Sequence, residues 1–136
     1  MGQSWIETLV NPRSLEGLYS SPPPLEGFHL TDLRLDERGP SCFFAGEFCE
    51  FPDFPSPSWD PRAYRLRVEF TLSMLEEFEA RGHSFGVDVD LSIARAPDGF
   101  GVIISGTGEN LHFRITGMSF QLTGLEPQIA AVRMNL

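Results

Sequence analysis

The chain has 136 residues, 41% of them apolar and 12 of them phenylalanine, which suits a single domain, 1-136, with one core and excludes disorder as its ground state. A formal net charge of −9 disfavours nucleic acid and anionic membrane surfaces as partners, and no apolar run approaches the ~18 residues of a membrane span. The opening "MGQSWIETLV" has neither the basic stretch nor the long apolar stretch of a secretory signal and lacks the Ser or Thr of a myristoylation motif, so a cytoplasmic protein is expected.

In chain order, "SWIETLVNP" pairs Ser4 with Glu7 as a capping box and stops at Asn11-Pro12, which then serve as the cap and first position of a second short helix reaching about Tyr19. "SSPPP" at 20 to 24 reads as a stiff connector. From there the hydrophobic period changes to two. Strands are expected at about 26 to 36 and 41 to 49, and most clearly in "YRLRVEFTLSM", where Tyr64, Leu66, Val68, Phe70, Leu72 and Met74 share one face. A strand at about 75 to 81 follows, then "VDVDLSI" from Val87, which "PDG" at 97 to 99 turns into "FGVIIS" as a hairpin. Further strands are expected at 110 to 116, 118 to 123 and 129 to 134, with "DERGP" and "GTGEN" as turns. One solvated face per strand, and no crossover helices, point to an α+β, mainly β fold: an antiparallel curled sheet, sandwich or partial barrel of about 7 to 9 strands with one or two short N-terminal helices.

Catalytic chemistry finds little support. His29, His83 and His112 are scattered, without the spacing of a metal site. Asp88-x-Asp90-x-Ser92 begins like a calcium loop but lacks its glycine and distal Glu, and Val89 and Leu91 interleave as core residues. "SGTGEN" completes no phosphate-binding motif. Cys42 and Cys49, about 23 Å apart on an extended strand, are expected to be reduced thiols, and neither has a His near it in the sequence. Glu76, Glu77 and Glu79 beside Phe78 read as a solvated strand face rather than an acid–base pair. No enzyme, metal or cofactor is therefore expected.

The unusual stretch is "CEFPDFPSPSWDP" at 49 to 61, where Phe51, Phe54 and Trp59 stand among four prolines. Proline excludes such a segment from the middle of a sheet or helix. It serves either as a lid over a sheet edge, for which Phe51 is best suited, or as a stiff loop presenting aromatic anchors beside acids.

The succession Trp5, Asn11-Pro12, Leu15, Tyr19, Pro24-Leu25, "LRLDERGP" at 33 to 40, "FPDFP" at 51 to 55 and Trp59 resembles immunity protein family 50 of bacterial polymorphic toxin systems. The resemblance covers mainly residues 5 to 60. It implies a non-enzymatic cytoplasmic protein that binds a cognate toxin domain, with Trp5 anchoring the first helix, Asn11 capping, and Asp36 and Gly39 forming a hairpin turn. The acidic charge suits a toxin with a basic surface. Asp53, Phe54, Trp59, Asp60, Glu76 and Glu77 are the candidate partner-binding residues. Two alternatives stand beside this reading: a carbohydrate-type ligand-binding β-sandwich with a concave pocket beside Trp59 or Phe54, and an adaptor subunit of another assembly.

Overall fold

The computed structural model describes residues 4–82 and 86–129. A 3₁₀ turn, Trp5–Thr8, and a one-turn helix α1, Arg13–Glu16, lead into eight strands: β1 Phe28–Asp36, β2 Ser41–Glu47, β3 Arg65–Ser73, β4 Glu77–Gly82, β5 Val87–Arg95, β6 Val102–Thr107, β7 Leu111–Gly117 and β8 Ser119–Gln128. They form one open sheet in the order β4-β7-β6-β5-β1-β2-β3-β8, with every pairing antiparallel. The mainly β, antiparallel curled sheet expected from the period of two is what the chain adopts.

β3 shows how the pattern works. Leu66, Val68, Phe70 and Leu72 are buried, while Arg65, Arg67, Glu69 and Thr71 face outward. Tyr64 and Met74, expected on the same inward face, are instead 53% and 58% exposed. Both lie beyond the strand ends, and Met74 breaks the pleat with a left-handed φ of 54°. Only Met74–Glu76 separate β3 from β4, and only Met118 separates β7 from β8. Glu76 N–H donates to Thr116 O at 2.8 Å and Met118 N–H to Ser73 O at 3.0 Å, so the two bends are stitched together. The ribbon folds over on itself there. This brings the inner faces of β1-β2-β3-β8 and β5-β6-β7-β4 into one hydrophobic cluster.

Aromatic rings dominate that cluster. Phe44 of β2, Phe70 of β3 and Phe120 of β8 stack across neighbouring strands with centroids 5.2 to 6.2 Å apart. Each buried ring contributes roughly 1.5–3 kcal/mol through surface removed from water. Trp5 packs on Phe48 and Phe70 at 5.6 and 6.2 Å and donates its indole N–H to Pro23 O at 3.1 Å. Trp5 therefore anchors the N-terminal segment, and within the proline connector Pro23 is buried while Pro22 and Pro24 are exposed.

The expected helices are shorter than the sequence suggests. Ser4 does cap, accepting from Ile6 N–H at 3.2 Å, but each segment makes only one turn. A few residues cannot repay helix nucleation. Asn11 does not cap α1. Its side chain donates to Leu122 O at 2.8 Å and accepts from Leu122 N–H at 2.9 Å, imitating a backbone partner, while Val10 N–H donates to Phe120 O at 2.8 Å. The N-terminal segment thus covers the outer edge of β8. In the β1–β2 turn, Asp36 accepts from Arg38 N–H at 3.0 Å and Gly39 takes a φ of 71°, the roles expected of them. The strand expected at 129 to 134 falls, apart from Ile129 which is in no strand, outside the described residues, as does His83.

Candidate partner-binding site

β2 and β3 are direct antiparallel neighbours, with Gly46 opposite Val68, yet residues 48–64 intervene between them. Two turns of the same design shape this excursion. In Ser56-Pro57-Ser58-Trp59 and Asp60-Pro61-Arg62-Ala63, proline occupies the second position, where its fixed φ suits a turn. Trp59 N–H donates to Ser56 O at 3.0 Å and Ala63 N–H to Asp60 O at 2.9 Å. The Asp60 carboxylate also accepts from the Arg62 guanidinium at 2.8 Å and from Arg62 N–H at 2.9 Å, which holds its pKa down at about 2.

The other half of the excursion is tied to the N-terminal segment. The Asp53 carboxylate accepts from Ser20 N–H and Ser20 Oγ, both at 2.9 Å, and these bonds lower its pKa. Phe54 N–H donates to Leu18 O at 2.9 Å. The buried Tyr19 hydroxyl donates to Glu50 O at 3.1 Å, and burial first, then the Asp53 and Glu50 charges, raises its pKa far above the usual value. The loop is thereby tied to Leu18, Tyr19 and Ser20 of the N-terminal segment.

This framework places the expected residues unequally. Phe51 and Trp59 are half-buried and pack against the core, as a lid would, whereas Phe54 is 59% exposed. Asp53 and Asp60 are exposed beside them. Glu76 and Glu77 are exposed too, but they lie past the far end of β3, about 26 Å along the strand from Arg65 at ~3.3 Å per residue. They do not share a surface with the loop.

Two concavities meet at Phe51. One, of about 400 Å³, is lined by Phe51, Pro55, Pro57, Trp59, Pro61 and Ala63 together with Ser56 and Asp60. The other, of about 360 Å³, lies on the outer face of the sheet, where His29, Glu47, Cys49, Glu50, Arg65 and Asp88 converge. Strand register explains the second: Asp88 of β5 and Glu47 of β2 both stand opposite His29 of β1. His29 Nδ1 is 2.9 Å from Asp88 Oδ1, and Arg65 Nε is 2.7 Å from Glu47 Oε1. Gly27 also lines the cleft and takes a left-handed φ of 67°. Arg65 also lies 5.9 Å from the centroid of the exposed Tyr64 ring.

Sequence reasoning missed this cleft, although His29, Arg65 and Asp88 each occupied a legible outward position on a predicted strand. Their convergence depends on which strands pair. It also places a histidine in the same cleft as Cys49, a neighbour the linear sequence hides. Both thiols are free; Cys42 is buried, and burial pushes its pKa up to about 12. Asp88 and Asp90 of the calcium-like stretch are engaged elsewhere, Asp88 with His29 and Asp90 as acceptor from Gly27 N–H at 3.0 Å. Among the described residues, no group of three or more His, Cys, Asp or Glu side chains is placed to hold a metal ion, and no helix is long and apolar enough to cross a membrane. Compared with known proteins, the chain matches no family model, no curated protein and no solved structure.

Proposed function

We propose that this protein is a non-enzymatic immunity protein that binds and neutralises a cognate toxin domain with a basic surface, the reading its sequence resemblance implies. The observation that carries it is the excursion at 48–64, inserted between two strands that need only a short turn and braced by prolines, paired turns and contacts to the N-terminal segment. Such a loop loses little entropy on binding. Trp59 supplies an aromatic anchor with Asp60 beside it, and Asp53 and Glu50 are exposed acids elsewhere on the same excursion.

The test is to look for a toxin domain encoded by a neighbouring gene, co-express it with the protein and measure the isolated complex. Growth should be restored, association should slow as salt rises, and Trp59→Ala should weaken binding by ~2 kcal/mol or more in the folded fraction. A toxin whose action is untouched by the protein would sink the reading. A second reading draws on the concavity beside Trp59, which suits a sugar ring stacked in a carbohydrate-binding protein. Saturable binding of an oligosaccharide, quenching Trp59 fluorescence, would favour it instead.

A further inference from the structure

We propose that the two concavities flanking Phe51 act as one groove for a partner segment in which a bulky apolar side chain adjoins an arginine or lysine. The inference rests on reading the protein as a binder of a basic protein partner. The proline-lined cavity presents Trp59, Phe51 and three proline rings, a surface that gains by covering apolar atoms and offers few polar groups to misdirect a ligand. The adjoining cleft has the opposite chemistry. Its carboxylates, Glu47, Glu50 and Asp88, outnumber its one guanidinium, Arg65; Glu47 and Asp88 already have partners in Arg65 and His29, whereas Glu50 makes no ion pair among the described residues.

A cation placed there would meet the Glu50 carboxylate in a cleft that Tyr64 also lines, with Arg65 already over the Tyr64 ring. The two halves adjoin at Phe51, which belongs to both walls, and Ala63 of one precedes Tyr64 of the other; the groove requires neighbouring side chains of one short segment to reach both. Asp53 and Asp60 extend the negative rim along the loop. A segment carrying an acid in place of the cation would face Glu47, Glu50 and Asp88 with Arg65 as the one guanidinium of the cleft.

The full chain, labelled with nitrogen-15, would be titrated at low salt with acetyl-Phe-Arg-amide, and with acetyl-Phe-Glu-amide and a neutral disaccharide as comparisons. Saturable shifts are expected at the Trp59 indole N–H and at the amides of Glu50 and Arg65 with Phe-Arg. Phe-Glu should bind at least about fivefold more weakly, and Glu50→Gln should narrow that gap. No saturable shift with Phe-Arg, equal binding of Phe-Glu, or preferential binding of the disaccharide would overturn the groove. A toxin that is neutralised through a footprint outside residues 47–65 would overturn it while leaving the immunity reading standing, whereas failure of neutralisation with intact Phe-Arg discrimination would do the reverse.

Discussion

The chain reverses direction between antiparallel neighbours in two contrasting ways. Between β5 and β6 it uses a tight turn: Ala96 N–H donates to Gly101 O at 2.8 Å, Gly99 takes a φ of 82°, and Asp98 accepts from Phe100 and Gly101 N–H groups at 2.8 and 3.2 Å. Between β2 and β3 it uses residues 48–64 for the same topological step. The tight turn is stabilised by its own backbone geometry. The long one is stabilised at its foot by the core and along its length by prolines and the N-terminal segment. The difference teaches that pairing β2 with β3 does not by itself require an excursion of this length.

Phe48→Ala tests the foot most severely. Its ring is buried against Trp5, Tyr19, Phe28 and Phe70, so a loss of about 3–5 kcal/mol is expected in urea unfolding, with the whole N-terminal segment loosened. Loss confined to the loop, with the global midpoint unchanged, would contradict that coupling. Gly99→Ala in the tight turn should cost about 1–2 kcal/mol, because a side chain is forced into left-handed backbone, and the loss should appear as faster amide exchange in β5 and β6.

Pro57→Ala and Pro61→Ala should each cost only about 0.4–1 kcal/mol, acting through the freedom of the unfolded chain, yet should increase nanosecond motion of the loop in relaxation measurements. An equally rigid loop after both changes would assign the stiffness to Asp53 and Ser20 instead. The smallest effect concerns pH. The Asp60 pKa of about 2 lies below the ordinary carboxylate value of about 4, so its contribution is fully present above that value and is lost as pH falls towards 2. Trp59 fluorescence should report a transition in that window that Asp60→Asn weakens.

How much of this was legible depended on range. The alternation along β3 and β5 and the "PDG" turn are local patterns, and the inward sets from Leu66 to Leu72 and from Val89 to Ile93 follow from them directly. Tyr64 and Met74 continued the alternation on paper, but the period of two does not show where a strand ends. Asn11-Pro12 looked like a helix cap because local grammar favours it, whereas its partner Leu122 lies 111 residues away. The acidic aromatic loop stood out by composition, and its two X-Pro turns follow from the sequence. The cleft beside it draws on β1, β2, β3 and β5, and Glu76 and Glu77 were grouped with the loop because charge alone carries no position.

The clasp between Asn11 and Leu122 also orders events during synthesis. Residues 4 to 19 leave the ribosome before β8, and the strand edge they cover does not exist until β8 has emerged. Until then Leu9 and Val10 lack the Phe120 edge they pair with, although Trp5 can already meet Phe48 and Phe70, so part of the segment stays apolar surface on a nascent chain. Conditions that slow translation of the second half should therefore lengthen the interval in which chaperones find this segment, while a chain extended past Leu122 can shelter it.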